Sequence, residues 1–283
     1  NASLAAVEVI DRDEIERSQA RSLQDLLRGH AGIDISNQGG PGKVSTLFLR
    51  GTESDHTLFL VDGVRVGSAT SGLTALQDLP LELVDRIEIV RGPRSSLYGS
   101  EAIGGVIQVF TRGGRKGVHT RAHAGAGSQR LRELGAGVDI GVDAFDGGSA
   151  WFGFDASHQS SVGINACRGI GAPVFAGCGM DDPDPDRDGY ENHALSLRAG
   201  FDTGNGWSGD ARVLRSEGIN EYDADPAWGL PDRSRTLQQV VGAKLRHDGG
   251  GRVALQLSAG RNTDRSDNDL AGTPTDGFAT RRD

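Results

Sequence analysis

The chain has 283 residues, of which 36% are hydrophobic, 5% are aromatic and 43 are glycine, and its formal net charge is -9. Nucleic acid is not a predicted partner, because phosphate contacts need clustered lysine and arginine and no basic patch is visible. Abundant glycine without a collagen period predicts a β-rich fold with many turns. A helical membrane protein is excluded, because no stretch approaches the roughly 20 apolar residues of a membrane-spanning helix.

Residues 1–112 are predicted to form an α+β domain of short elements. Asp11 with Glu14, and Ser22 with Asp25, have the spacing of helix amino-terminal caps. Asp62-Gly63 between two apolar runs predicts a tight β-hairpin. The predicted strands include TLFLR (46–50), the hairpin LFLVDGVRV (58–66), RIEIV (86–90) and GGVIQVF (104–110), and a helical turn is expected at Pro80.

Residues 113–283 change to segments of about ten residues in which apolar and polar side chains alternate. We count seven such strands and the start of an eighth near Phe278. Alternating antiparallel strands fit either a soluble sandwich or a membrane barrel. The polar faces favour a barrel whose wet interior touches another domain, since they carry many glycines and the charged residues Arg121, Arg132, Asp139, Arg198, Lys244 and Arg246.

The connection lengths and the size of the first domain support the same interpretation. Gaps 202–205 and 247–251 are tight whereas 160–191 and 217–234 are long, as in outer-membrane barrels with short turns on one side. Eight strands enclose too little space for a domain of about 110 residues, whereas barrels of about 22 strands hold such a domain. Either the first domain lies outside a small β-domain, or the chain is the front third of a larger barrel, and the charged strand start FATRRD (278–283) favours the second. The prediction is an α+β domain in residues 1–112, followed in 113–283 by the first seven to eight strands of a truncated transmembrane barrel.

An acidic loop is the first candidate site. Asp184, Asp186, Asp188 and Gly189 reproduce the first positions of an EF-hand calcium loop, where alternate carboxylates converge on a hard cation. The twelfth position would be Leu195, which cannot be a ligand. From the spacing alone, the loop is either a cation site or a solvated acidic loop.

Cysteines, histidines and catalytic motifs provide weaker evidence for a functional site. Cys167 and Cys178 enclose ten residues and can form a disulfide in an oxidising compartment or remain two free thiols. The seven histidines show no HExxH motif and no close metal-binding pair, so no metal role is predicted for them. GxSxG, P-loop and dinucleotide motifs do not occur, and we predict that the protein is not an enzyme.

Three segments of the first domain, taken together, resemble the plug domain of TonB-dependent outer-membrane receptors. They are SLQDLLRGHAGIDIS (22–36), FLRGTESDHTLFLVDGVRV (48–66) and VDRIEIVRGPRSSLYGSEAIGGVIQVFT (84–111). The resemblance implies a location in the bacterial outer membrane, contact of the barrel with lipid, and transport into the periplasm powered by the TonB energy-coupling protein. The motif that TonB grips is expected before Asn1, and about two thirds of the barrel after the end of this chain.

Within that family, residues 45–66 are most similar to cobalamin-binding members, which implies cobalamin as substrate and calcium as a structural cofactor of the outer loops. The implied substrate contacts are Val44, Thr46, Glu53, Thr70, Ser71 and Ala224. The implied calcium ligands are Asp184, Asp186, Asp188, Tyr222 through its backbone, Asp223 and Asp232, with the Cys167–Cys178 disulfide as a second brace on the same loop. The alternatives are a ferric siderophore or haem receptor of the same family and, from a different class, a secreted calcium-dependent adhesin with a soluble sandwich.

Overall fold

The computed structural model describes residues 6–37, 39–67, 76–144, 147–165, 187–222, 232–250, 253–270 and 273–282. Among these, three sheets of two, five and eight strands account for most of the structure.

Two helices open the first domain where the sequence predicts them. Helix α1 spans Arg12–Ser18 and α2 spans Leu23–Arg28. The Asp11 side chain accepts the Glu14 backbone N–H at 2.9 Å, and the Ser22 hydroxyl accepts that of Asp25 at 3.1 Å. Both predicted caps are confirmed, and α2 buries its leucine face in the core. A third helix, α3, is a single turn over Ser95–Tyr98.

The five-stranded sheet has the order β1-β6-β7-β4-β5, with β4 and β7 parallel and the other pairs antiparallel. A separate hairpin pairs β2 with β3. The strands are β1 (Ala6–Ile10), β2 (Ile33–Asn37), β3 (Ser45–Leu49), β4 (Thr57–Val61), β5 (Val64–Val66), β6 (Val84–Arg91) and β7 (Gly105–Thr111). Single 3-10 turns lie at Ser54–His56, Leu76–Asp78, Leu81–Leu83 and, beyond this domain, Ser128–Arg130.

The predicted Asp-Gly hairpin joins β4 to β5. Asp62 and Gly63 have φ values of 51° and 85°, as both central residues of a type I′ turn require. The Asp62 carboxylate also accepts the Thr111 backbone N–H at 3.0 Å and its hydroxyl at 2.6 Å. The turn is therefore held against the end of β7.

All eight strands of the third sheet pair with their neighbours in sequence, in antiparallel order. We call this sheet the strand wall. Its strands are β8 (Gly117–Ala126), β9 (Arg132–Ala144), β10 (Gly148–Ser161), β11 (Tyr190–Asp202), β12 (Trp207–Glu221), β13 (Arg233–Asp248), β14 (Ala254–Leu270) and β15 (Thr273–Arg282). The seven predicted strands and the eighth near Phe278 are confirmed. The predicted division at residue 112 lies between β7 and β8 and stays a prediction.

Burial in the strand wall is inverted relative to a soluble protein. Leu197 and Leu257 on the outward face are 46% and 59% exposed, whereas Asp139 and Arg198 on the inward face are each 1% exposed. A soluble sandwich buries its apolar faces, so this pattern argues against the secreted adhesin, and the predicted fold class is confirmed. Within the part of the chain that the structure describes, none of the helices is long and apolar enough to cross a membrane.

The inward face meets the first domain in two kinds of contact. Ala194, Leu214 and Val240 point inward and join the hydrophobic core of the first domain. Lower on the same face, Arg198 forms ion pairs with Asp139 at 2.5 Å and with Asp155, while Arg121 pairs with both carboxylates. These four residues form what we call the inner charge cluster.

The inner charge cluster is expected to stabilise the strand wall. Arg198→Met leaves two buried carboxylates with one arginine between them, and breaking a buried pair on one side costs roughly 3–5 kcal/mol. We therefore expect a loss of that order in the free energy of unfolding, measured by urea titration of the protein in detergent with tryptophan fluorescence.

Arg215→Met is the matched control, because Arg215 and Glu217 form an ion pair with both side chains about half exposed. Exposed pairs contribute about 1 kcal/mol or less. Equal effects of the two substitutions would contradict a stabilising role for the inner charge cluster.

Candidate functional site

The two long connections of the strand wall begin and end next to each other at one end of the strands. Residues 162–189 join β10 to β11, and 222–232 join β12 to β13. The Glu221 N–H donates to the Gly189 carbonyl at 3.0 Å, and the Tyr222 N–H donates to the Asp232 carbonyl at 2.8 Å. The connections that carry the predicted calcium ligands are thus neighbours at their bases.

Three of the predicted calcium ligands lie within the described residues. Asp188 is buried, and its Oδ1 lies 3.5 Å from the ammonium of Lys43 in the first domain. Tyr222 and Asp232 are half-buried. Asp184, Asp186 and Asp223 lie outside the described residues, as do Cys167 and Cys178.

The chemistry of these donors fits a hard cation. Calcium prefers carboxylate and carbonyl oxygens, which Asp188, Asp232 and the Tyr222 backbone supply. Burial, together with the nearby Asp232 and Asp269, raises the pKa of Tyr222 to about 12, so its phenol stays neutral at neutral pH. In this arrangement the Lys43 ammonium is the positive charge that faces Asp188.

The predicted substrate contacts that the structure describes belong to the first domain. Val44 is 46% exposed and adjoins Lys43, which places it at the end of the long connections. Thr46 is half-buried in β3, and Glu53 is exposed immediately before the 3-10 turn that leads into β4. Thr70, Ser71 and Ala224 lie outside the described residues.

The turn between β2 and β3 is seated on the base of the first long connection. Gly42 has a φ of 78°, and a Cβ atom there would collide with the ring of Tyr190. Together with the Lys43–Asp188 pair, this contact joins the turn that carries Val44 to the start of β11. Sequence reasoning missed it, because the partners are almost 150 residues apart.

A second contact, also missed from sequence, holds Asp78 against the wall. Its carboxylate accepts the Thr236 hydroxyl at 2.7 Å and the Tyr190 hydroxyl at 3.3 Å. Its backbone carbonyl accepts the Asn192 side-chain amide at 3.3 Å and the Ser216 hydroxyl. We call these residues the Asp78 anchor.

The anchor leaves a carboxylate fully buried. Burial raises the pKa of Asp78 to about 6, against the opposing hydrogen bonds from Thr236 and Tyr190 and with a further rise from Asp264. Asp78 closely follows residues 68–75, the segment that carries the predicted contacts Thr70 and Ser71. The anchor therefore fixes the 3-10 turn Leu76–Asp78, which follows that segment in the sequence, to the strand wall.

A third contact lies towards the short turns. The Arg212 guanidinium donates to the Asp62 carboxylate at 3.3 Å and to the Thr111 carbonyl at 3.2 Å. It holds the β4–β5 turn against β12. The domain is thus attached to the wall near both ends of the strands.

Comparison with known proteins gives one family. Residues 1–106 match the family model "TonB-dependent Receptor Plug Domain". The chain is 37% identical over 225 residues to the vitamin B12 transporter BtuB of Vibrio cholerae serotype O1, which covers 79% of this chain and 34% of that protein. It therefore spans about a third of the length of the curated relatives it matches.

Solved structures with the same fold include a ferric enterobactin receptor and a siderophore receptor. The ferric enterobactin receptor PfeA superposes with a TM-score of 0.73 at 16% identity, over 99% of this chain and 45% of that one. A mutant of the same receptor is from Pseudomonas aeruginosa. The siderophore receptor PirA of Acinetobacter baumannii gives a TM-score of 0.72 at 19% identity, over 97% of this chain and 43% of its own.

The plug-domain match, the relative at 37% identity and the shared fold of domain and strand wall lead to one assignment. The chain belongs to the TonB-dependent receptors of the bacterial outer membrane.

Proposed function

We propose that the receptor binds cobalamin at its outward end and carries it to the periplasm with energy supplied through TonB. The observation that carries this proposal is the 37% identity to a vitamin B12 transporter over 225 residues, a length that exceeds the plug domain. The siderophore receptors of similar structure are only 16–19% identical, a level at which likeness supports the fold alone.

The chemistry of the predicted contacts supports a large neutral ligand. Val44 is exposed at the tip of the β2–β3 hairpin, and Thr46 lies just behind it. With Glu53, Thr70, Ser71 and Ala224, the set offers hydroxyl and backbone groups and only one charge. Cobalamin carries many amides, which such groups can bind, whereas an anionic ferric chelate favours clustered arginines.

We further propose that calcium binds between the two long connections, through Asp184, Asp186, Asp188, the Tyr222 backbone, Asp223 and Asp232. The neighbouring bases of the connections and the oxygen chemistry of the described donors support this site. Bound calcium would supply a fixed positive charge that orders both connections around the substrate.

Transport in this proposal is conformational gating, with no bond made or broken. The polar contacts between plug and wall, namely Lys43–Asp188, the Asp78 anchor and Arg212–Asp62, are the ones that must loosen when TonB acts. Hydrogen bonds and ion pairs of this kind can be exchanged for bonds to water as a path opens.

A ferric siderophore is the second candidate substrate, because the solved structures of similar fold include siderophore receptors. The two candidates differ in whether calcium affects binding, which one experiment can measure.

Cobalamin binding is expected to depend on calcium. Titration calorimetry of the full-length receptor in detergent should give tight cyanocobalamin binding with calcium and binding at least tenfold weaker with a chelator. Binding of ferric enterobactin in place of cobalamin, without any effect of calcium, would overturn the substrate assignment.

Asp188 and Lys43 should change calcium affinity in opposite directions. Asp188→Asn removes a proposed ligand and is expected to weaken calcium binding at least tenfold. Lys43→Met removes a competing charge 3.5 Å away and is expected to strengthen it. Calcium calorimetry of the two variants tests this, and weaker binding in both would show that Lys43 supports the loop rather than competing for it.

The Asp78 anchor should make stability depend on pH. Because the folded pKa of about 6 exceeds the ordinary 3.8, the folded receptor holds a proton at Asp78 that the unfolded chain releases. The free energy of unfolding therefore falls as pH rises from about 4 to about 6, on the order of 3 kcal/mol from this group.

Asp78→Asn has no carboxylate to titrate, so urea titrations should lack this decline, and the free energy of unfolding of the variant minus that of the wild type should rise between about pH 4 and about pH 6. Asp55→Asn is the control, since Asp55 is exposed, and its profile should match the wild type. An unchanged slope in Asp78→Asn would mean that the buried carboxylate does not titrate in this window.

A further inference from the structure

Two histidines face each other on the outward surface of the strand wall, away from the plug. His158 in β10 and His193 in β11 are directly opposite in the register. Their ring centroids are 4.5 Å apart, and their Nδ1 atoms are 3.3 Å apart. They lie on the same face as the exposed Phe154 and Leu197, towards the end with the long connections.

Glu191 completes the group from two residues before His193, on the same face of β11. Its Oε1 lies 2.9 Å from His193 Nε2. A carboxylate accepts the N–H of that nitrogen, which leaves Nδ1 of His193 as the nitrogen with the lone pair. Nδ1 is the atom that faces His158.

We propose that His158 and His193 bind a first-row transition metal ion, represented by Zn²⁺, through their Nδ1 atoms, with Glu191 orienting His193. Zinc binds histidine nitrogen at about 2.0–2.1 Å in tetrahedral geometry, so two such nitrogens lie about 3.3 Å apart. The observed separation of the two Nδ1 atoms meets this requirement without movement of either strand.

The second interaction of His193 is the one that metal-binding histidines usually make. A ligating imidazole generally donates its other N–H to a carboxylate or carbonyl, which fixes the ring and raises its basicity. Ligand atoms of all three residues lie within 4.8 Å of one another. His193 and Glu191 are 59% and 44% exposed. Both lie at the loop end of β11, a strand of 13 residues, whereas a membrane span needs only about 9–11. Water can therefore complete the coordination at this end of the strand.

The charged residue opposite His193 does not argue against a zinc site. Glu217 lies opposite His193 on β12, but its carboxylate is paired with Arg215. Imidazole nitrogen selects zinc, copper or nickel, whereas calcium takes oxygen. The site is therefore chemically distinct from the proposed calcium site, and it does not depend on which substrate the receptor carries.

Metal binding here would join β10 to β11, the two strands that flank residues 162–189. Spacing in the sequence does not reveal the pair, because the two histidines are separated by 35 residues and become neighbours only through the register of β10 and β11.

The test is zinc titration of the untagged full-length receptor in detergent, followed by calorimetry. We expect one zinc ion per receptor with micromolar affinity, and at least tenfold weaker binding in His158→Ala and in His193→Ala. Glu191→Gln should weaken binding by about tenfold, the lower end of the 10- to 100-fold that outer partners of a ligating histidine typically contribute. Because protons compete with the metal for imidazole, affinity should fall as pH is lowered from about 7.5 to about 5.5.

His247→Ala is the matched control, because His247 lies in β13 and stacks on Trp207 away from the pair. It should bind zinc as the wild type does. Zinc affinity that is unchanged in both His158→Ala and His193→Ala would overturn the proposal, as would no binding at about 100 μM zinc. Cobalamin titration of the same variants separates the two proposals, since substrate binding should be unaffected.

Discussion

The fold depends on the inverted burial of the strand wall. Apolar side chains can cover an extended outward surface only if an apolar medium surrounds it. The alternation of a β-strand then sends every second residue inward, where polar groups and glycine predominate. Arg198 is acceptable at 1% exposure because Asp139 and Asp155 flank it in the register of β9, β10 and β11. The inward face of the strand wall is therefore polar, and the plug binds to it largely through polar contacts.

The match between plug and wall is local rather than continuous. Ala194, Leu214 and Val240 extend the plug core into the wall, and Gly42 packs against the ring of Tyr190. Lys43–Asp188, the Asp78 anchor and Arg212–Asp62 are hydrogen bonds and ion pairs. Apolar burial gives non-directional attraction that tolerates small shifts, whereas a bond such as Thr236 to Asp78 has one geometry. The polar contacts therefore define the position of the plug, and they are also the contacts whose loss water can compensate.

Local elements could be predicted from the sequence because their causes are local. The caps at Asp11 and Ser22, the turn at Asp62-Gly63 and the alternation of the wall strands each follow from a few neighbouring residues.

The contacts of the Asp78 anchor and the Lys43–Asp188 pair could not be predicted, because the partners are far apart in the sequence. Tyr190 is 112 positions from Asp78, and Asp188 is 145 positions from Lys43. The same reason applies to the His158–His193 pair, since 35 positions separate the two histidines in the sequence. Val240, placed on the polar face by the alternation, is apolar because it meets the plug core.

Two different sets of candidate metal ligands lie near residues 162–189, on opposite faces of the strand wall. Inward and upward from the base of this connection, the described donors are oxygens, with Asp188 buried beside Lys43. On the outward face of the flanking strands, the donors are two imidazole nitrogens supported by a carboxylate. If both proposals hold, a hard cation would be bound by oxygens at the long connections and a borderline cation by imidazole nitrogens on the outward face of β10 and β11. Because adjacent residues of a strand point to opposite faces, the two sets can lie close in sequence without sharing a ligand, so zinc on the outside need not compete with calcium at the loop. Any coupling between them would pass through the relative position of β10 and β11, the one structural element that both sets have in common.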